Sequence, residues 1–151
     1  MNKKDQSYIA KVRVCLVREN TRSKPIVISS ENDAASLEFI KEELALSDRE
    51  IFICLHLTIK HTVISYEVVS TGSINAAVIH PREVFKGAIL ANAAAVILYH
   101  NHPSGDPAPS AEDIAVTNRV KEAGKTLGIE VLDHLIFGGE DFFSLKERGL
   151  M

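Results

Sequence analysis

The residues of this sequence that are best suited to chemistry stand close together between positions 100 and 113. His100 and His102 follow an apolar run and are two positions apart, so at the end of a strand both imidazoles would point to the same side. After a loop rich in proline and glycine, Asp113 lies in the first turn of an expected helix and can supply a carboxylate oxygen. Two histidines and one carboxylate leave the fourth position of a tetrahedral zinc ion for water, as in catalytic sites. The segment therefore predicts Zn²⁺ on these three residues, where it would activate the water and polarise a carbonyl.

Each of these residues also has an ordinary structural explanation. A single histidine at a strand end is more often structural than a metal ligand. Ser110 and Asp113 form an S-x-x-D pattern, which is typical of a capping box that starts a helix. The metal-site interpretation depends on all positions together, in the pattern H-x-H-x(7)-S-x(2)-D with Pro103 directly after the second histidine.

Hydrophobic spacing predicts the elements that must position these residues. Alternation and short apolar runs indicate strands, whereas helical spacing with caps indicates helices. Strands are predicted at about 8–17, 26–28, 50–59, 63–69, 94–99 and 129–137, and helices at about 34–46, 81–93 and 110–127. Strands alternate with helices in the second half of the chain, which predicts a layered α/β domain.

Length, composition and charge restrict the class of protein. The chain has 151 residues, 46% hydrophobic and 25% charged, as in one ordinary globular domain. A net charge of −3 without a long basic run gives no electrostatic reason to expect nucleic acid. No signal region or apolar run of the ~20 residues that a membrane span needs is visible, so a cytoplasmic protein is expected. Cys15 and Cys54 lie in apolar stretches and are predicted to be buried thiols.

Several further segments resemble the RadC-like branch of the JAMM metallohydrolases, also known as the MPN+ or JAB domain family. They are residues 80–85 (HPREVF), 92–98, 100–106, 109–110, 132–134 and 144–149. The resemblance runs from about residue 28 to the C-terminus. It implies a three-layer α/β/α domain with a mixed sheet, of the cytidine-deaminase-like kind, and zinc on His100, His102 and Asp113. The compact domain would then be 28–151, with 1–27 as an N-terminal strand extension.

The same resemblance implies roles for further residues. The family places a glutamate at the start of an early core strand, where it takes a proton from the water and passes it to the leaving amine. Glu50 matches this position, with Glu83 and Glu67 as alternatives. Ser110 would hydrogen-bond the oxyanion and can cap the helix as well. Asp133 and His134 resemble a recurring family pair. Two roles are possible for this pair, a structural hydrogen bond beside the site or support of the metal ligands, and the sequence does not decide between them.

Two departures from the family pattern limit what the resemblance implies. Full-length RadC proteins carry an N-terminal helix-hairpin-helix region associated with DNA, whereas residues 1–27 are predicted as strands. Nucleic acid as a partner is therefore supported by the family name alone. Family members usually carry an acidic residue and a longer polar turn after the early strand, whereas this chain has the segment 57–61 (LTIKH) there. His56 and His61 are interpreted as incidental.

The sequence leaves two functions from different classes. One is a zinc-dependent hydrolase of the metallopeptidase or isopeptidase type, acting on a peptide or isopeptide-like substrate. The other is a non-catalytic module, DNA-repair-associated or protein-binding, on the same fold. Inactive relatives generally lose the histidine or aspartate ligands and this chain keeps them, which favours the enzyme. The motifs of zinc deaminases and HExxH peptidases are absent, and an HNH nuclease would not explain the later Ser-x-x-Asp. The substrate stays open, and exposed strand edges would allow a homodimer.

Overall fold

The computed structural model describes residues 10–17, 19, 24–72 and 79–151. Its centre is a five-stranded sheet in the order β2-β1-β3-β4-β5. The strands are β1 (Ile51–Leu57), β2 (Val63–Thr71), β3 (Ala95–Asn101), β4 (Glu130–Gly138) and β5 (Asp141–Ser144). Neighbouring strands run antiparallel except β3 and β4, which are parallel. The predicted α/β class with a mixed sheet is confirmed.

Helices cover both faces of this sheet. They are α1 (Glu31–Ala35), α2 (Glu38–Ala45), α3 (Pro81–Leu90) and α4 (Ala111–Leu127). On one face, Ile40 of α2 packs in a cluster with Ile53 and the other odd-numbered residues of β1. On the opposite face, Phe85 of α3 and Val120 of α4 pack with even-numbered residues of β1 and β3. Every residue of β1 and β3 is buried, because both faces of these two strands are covered. The arrangement is a three-layer α/β/α sandwich.

The connection from β3 through α4 to β4 determines where a site can form. Parallel neighbours need a crossover connection, and here the helix α4 supplies it. The helix ends at Gly128, whose φ of 71° lies in the left-handed region that glycine adopts readily, and the chain returns as β4. The carboxyl end of β3 and the amino end of α4 therefore lie at the same edge of the sheet, the place where α/β proteins generally bind ligands.

The single helix predicted over 34–46 is wrong, since the chain forms two shorter helices there. Ser30 starts α1 earlier than expected, through a capping box with Asp33. At the other end of α1, the hydroxyl of Ser36 donates to the carbonyl of Asp33 at 3.0 Å. Such local hydrogen bonds compete with helix propagation, and α2 begins afresh after Leu37.

The strands predicted in the first part of the chain are also not formed where the structure describes them. Residues 10–17 carry no strand pairing, and Val12 and Val14 are 77% and 71% exposed. Of residues 26–28, Val27 alone makes an isolated bridge, with Thr62. Alternation reveals a face that could be buried, but a strand forms only beside a partner strand. The rest of the predicted extension, at 1–9, 18 and 20–23, lies outside the described residues, and the domain boundary stays a prediction.

Two smaller expectations concern the cysteines and the C-terminal region. Cys54 is buried as predicted, whereas Cys15 is exposed, because its segment does not join the sheet. The short strand β5 was not expected, since four residues give too brief a pattern for periodicity.

Within the described residues, no helix combines the length and the apolar composition that crossing a membrane requires.

Candidate metal centre

The end of β3 and the first turn of α4 bring the three predicted metal ligands together. The Nε2 atoms of His100 and His102 lie 2.9 Å apart. The carboxylate of Asp113 places Oδ1 at 3.2 Å from Nε2 of His100 and Oδ2 at 3.3 Å from Nε2 of His102. Ligand atoms at ~2.0–2.2 Å from a tetrahedral zinc ion are about 3.3 Å from one another. The three side chains therefore form a group that could hold one metal ion.

The backbone keeps both imidazoles on one side of the sheet. The amide of His102 donates to the carbonyl of Phe137 at 2.7 Å, which extends the parallel pairing of β3 with β4 past Asn101. His100 and His102 therefore stay in the alternating geometry of a strand and face α4. Nδ1 of His102 lies 2.8 Å from the backbone carbonyl of Asp106. Because a carbonyl only accepts, Nδ1 carries the hydrogen and Nε2 presents its lone pair to the other ligands. This is the form of histidine that binds a metal, and the donor set fits a divalent cation.

The loop that holds the Asp106 carbonyl depends on a glycine of β4. A Cβ atom at Gly138 would collide with the backbone of residues 105–107. The absence of a side chain at this position lets the loop pack directly on the strand, which places the carbonyl that orients His102. Spacing along the sequence gives no signal for this role, since the contact joins segments about thirty residues apart.

Asp113 is both a candidate ligand and part of a helix cap. The amide of Asp113 donates to Oγ of Ser110 at 3.1 Å, and the amide of Ser110 donates to Oδ2 of Asp113 at 2.7 Å. The predicted capping box is confirmed. Burial on its own would raise the pKa of Asp113, but the neighbouring His100 imidazole and the hydrogen bonds with Ser110 outweigh it and hold this pKa well below its ordinary value. The carboxyl group is thus ionised at neutral pH, as a metal ligand must be.

A buried row of polar groups lies behind His100. Its Nδ1 is 2.8 Å from Nε2 of His134, and Nδ1 of His134 is 2.6 Å from Oγ1 of Thr117. Burial is the largest cause that lowers the pKa of His134 well below its ordinary value. Phe52 packs on both rings, with centroids 6.2 Å from His100 and 5.4 Å from His134.

Thr117 and Phe52 were not singled out from the sequence. A usable signal existed for Thr117, because it lies four residues after Asp113 and therefore on the same helix face. Phe52 gives no such signal, because only the pairing of β1 with β3 brings it opposite His100.

Strand register places Glu50 at the same edge of the sheet. Phe52 and His100 form the last pair of the antiparallel ladder of β1 and β3, and Glu50 lies two residues before Phe52, at the same edge of the sheet as His102. The side chain of Asn101 holds both neighbours of Glu50. Its Oδ1 accepts from the amide of Ile51 at 2.7 Å, and its Nδ2 donates to the carbonyl of Arg49 at 3.0 Å. The catalytic role predicted for Glu50 stays a prediction.

The alternative glutamates and the remaining histidines lie elsewhere. Glu83 forms an exposed ion pair with Lys86 at 2.7 Å, and Glu67 packs against Gly87 of α3. His56 is buried next to Ser65, with Nδ1 and Oγ 2.9 Å apart, and burial lowers its pKa to about 4. His61 lies in the turn between β1 and β2 with a φ of 57°. Neither histidine belongs to the group of possible metal ligands found among the described residues.

Comparison with known proteins identifies the family. The profile of the family described as RadC-like JAB domain matches residues 28–150. The UPF0758 protein ABC2615 of Shouchella clausii is 52% identical over 132 residues, which cover 87% of this chain and 56% of that protein. A UPF0758 protein of Desulfitobacterium hafniense is 49% identical over 139 residues, or 90% of this chain and 60% of the relative. The chain thus spans a little over half the length of these relatives, whose names specify no reaction or substrate. The chain belongs to the RadC-like JAB domain family.

Proposed function

We propose that this chain is a zinc-dependent hydrolase of the metallopeptidase or isopeptidase type. The observation that carries the proposal is the convergence of the side chains of His100, His102 and Asp113. The two Nε2 atoms lie 2.9 Å apart, and the two carboxylate oxygens lie 3.2 Å from Nε2 of His100 and 3.3 Å from Nε2 of His102. Membership of the RadC-like JAB domain family, which resembles the JAMM metallohydrolases in this motif, supports it.

The chemistry of the donor set favours zinc among the common metals. Two imidazole nitrogens and one carboxylate oxygen are typical ligands of catalytic zinc, whereas Mg²⁺ and Ca²⁺ prefer oxygen ligands alone. Zinc bound there would lower the pKa of a water molecule towards neutrality and polarise the carbonyl of an amide substrate. The side chains of His100 and Asp113 are 0% and 3% exposed and that of His102 is 13% exposed, so substrate would approach from the side of His102.

Glu50 is the residue that we assign to proton transfer. Its carboxylate would take a proton from the water and deliver it to the leaving amine, so that the amine departs uncharged. Asn101 keeps the backbone on either side of Glu50 fixed through two hydrogen bonds. Such fixation matters because proton transfer depends on the exact reach of the general base.

Ser110 is the residue that we assign to the oxyanion. In the helix cap its oxygen accepts a hydrogen bond from the amide of Asp113, which leaves the hydroxyl hydrogen to donate elsewhere. Ser110 is exposed, so this hydrogen can reach the oxygen of a bound substrate where negative charge develops. Capping and oxyanion stabilisation therefore use different parts of the same hydroxyl.

Hydrolysis of peptide and isopeptide substrates by the zinc-loaded protein tests this function. Glu50→Gln should lower kcat by about 100-fold to 10,000-fold while the zinc content stays that of the parent. The matched control is Glu83→Gln, which changes an exposed glutamate and should leave turnover unchanged. Equal activity of the parent and of Glu50→Gln would show that Glu50 is not the general base. Absence of turnover by the zinc-loaded parent over the whole substrate panel would favour the non-catalytic binding module.

A further inference from the structure

The buried row behind His100 connects two of the candidate ligands through residues that hold no metal themselves. It runs from Nδ1 of His100 to His134, from His134 to Thr117, and from Thr117 to the backbone carbonyl of Asp113. We propose that His134 and Thr117 are positioning residues that fix His100 in the one tautomer able to bind a metal through Nε2. This inference deepens the proposed function and rests on the metal site described there.

The direction of every hydrogen bond in the row follows from its last member. The carbonyl oxygen of Asp113 can only accept, so the hydroxyl hydrogen of Thr117, 2.7 Å away from oxygen to oxygen, points to it. The hydroxyl has no second hydrogen, and Oγ1 must therefore accept from Nδ1 of His134, at 2.6 Å. Nδ1 of His134 thus carries a hydrogen.

The same logic continues from His134 to His100. His134 is fully buried, which disfavours a second proton, so its Nε2 presents a lone pair. That lone pair accepts from Nδ1 of His100 at 2.8 Å, and Nδ1 of His100 therefore carries a hydrogen. The remaining nitrogen of His100, Nε2, is the one that lies beside His102 and Asp113. It is left as the atom that can donate its lone pair to a metal.

The opposite arrangement would close the site to a metal. With its hydrogen on Nε2, His134 would donate to Nδ1 of His100. A neutral His100 would then carry its own hydrogen on Nε2 and could not coordinate through that atom. Nδ1 of His134 would then present a lone pair to Thr117. The Thr117 hydroxyl could not donate to it, because its hydrogen is already donated to the Asp113 carbonyl. His100, Thr117 and His134 are 0% exposed, so water is poorly placed to replace a lost partner.

The row also links three elements of the fold. His100 lies next to the last residue of β3, His134 lies on β4, and Thr117 lies one turn after Asp113 on α4. Thr117 therefore orients an imidazole on the sheet by means of the helix that supplies the carboxylate ligand. Outer partners of this kind typically change metal affinity by about 10-fold to 100-fold.

Substitutions of Thr117 separate this role from simple packing. Thr117→Val keeps the shape but removes the hydroxyl, and we expect the zinc dissociation constant, measured by competition with a chelator, to rise by about 10-fold to 100-fold. Thr117→Ser restores the hydroxyl and should restore the affinity of the parent. The control is Thr126→Val on the same helix, where the hydroxyl makes the same contact with the carbonyl four residues before it, at 3.3 Å from Glu122. Equal zinc affinity in Thr117→Val and Thr126→Val would overturn the inference.

Nitrogen-15 NMR of the imidazoles of the unmodified protein reads the tautomer directly and needs no variant. We expect His134 to be neutral with its hydrogen on Nδ1, both without zinc and with zinc added. A hydrogen on Nε2 of His134 would overturn the inference even if zinc binds. A parent protein that binds no zinc would instead contradict the proposed metal site, while the tautomer of His134 could still be read.

Discussion

At the scale of single residues, the site relies on side chains that perform two tasks each. Asp113 caps α4 and faces both histidines, while Ser110 caps the same helix with an oxygen whose hydrogen remains available. The motif H-x-H-x(7)-S-x(2)-D could therefore be recognised from the sequence, because its members lie within fourteen residues that one strand end and one helix start hold together. Phe52, Gly138 and Glu50 reach the same edge only through strand pairing, and periodicity carries no information about pairing between distant segments.

The two tasks of Ser110 can be separated by substitution. Removing an oxyanion donor typically lowers kcat by about 100-fold to 1,000-fold, and we expect this loss in both Ser110→Ala and Ser110→Gly. Alanine at an N-cap costs about 1 kcal/mol of stability, whereas glycine costs only a few tenths. Chemical denaturation and steady-state kinetics of the two variants measure both effects. A loss of activity in Ser110→Ala with full activity in Ser110→Gly would assign Ser110 to the cap alone.

At the scale of elements, the unit β3–loop–α4–β4 was predictable and the first part of the chain was not. Buried apolar runs, a proline-rich and glycine-rich loop, and Gly128 at the helix end marked each boundary of that unit locally. The alternation of residues 8–17 indicated a strand as well, yet residues 10–17 pair with no strand in the part of the chain that the structure describes. The helix over 34–46 divides because local hydrogen bonds at Ser36 oppose a hydrophobic spacing that would have continued through it.

Asn101 joins the end of β3 to the start of β1, and its replacement should impair proton transfer without changing metal binding. Asn101→Leu leaves the buried amide of Ile51 without its side-chain acceptor, which should cost about 1–3 kcal/mol of unfolding free energy. Because Glu50 would lose its fixed backbone, kcat should fall by about 100-fold while the zinc content stays unchanged. Asn118→Leu, an exposed change on α4, is the control for both measurements. Full activity in a destabilised Asn101→Leu protein would contradict this role.

At the scale of the whole molecule, buried histidines make stability depend on pH. Burial lowers the pKa of His56 to about 4, below the ordinary value of about 6.5 expected in the unfolded chain. Between these values the unfolded state binds a proton that the folded state does not. The contribution of His56 to the free energy of unfolding is therefore fully present above about pH 6.5 and is lost as the pH drops towards 4. His134, whose pKa is also lowered, acts in the same direction.

Replacement of His56 should flatten part of this pH dependence. The two pKa values correspond to roughly 3 kcal/mol, and His56→Asn should reduce the loss of unfolding free energy between pH 7 and pH 4 by an amount of that order. The control is His61→Asn, a histidine of the β1–β2 turn in a left-handed conformation that asparagine tolerates. Urea denaturation over this pH range measures the difference. If the unfolding free energy of His56→Asn falls with pH as steeply as that of the parent, His56 does not cause this pH dependence.

The central claim, a zinc ion on His100, His102 and Asp113, is tested most directly by metal content. Protein purified without added zinc should be compared by elemental analysis with the double variant His100→Ala/His102→Ala, and both should be measured again after zinc is added and excess removed. We predict close to one zinc ion per chain in the parent and none retained in the variant. A parent that retains no zinc after addition, or a variant that retains as much as the parent, would contradict the site.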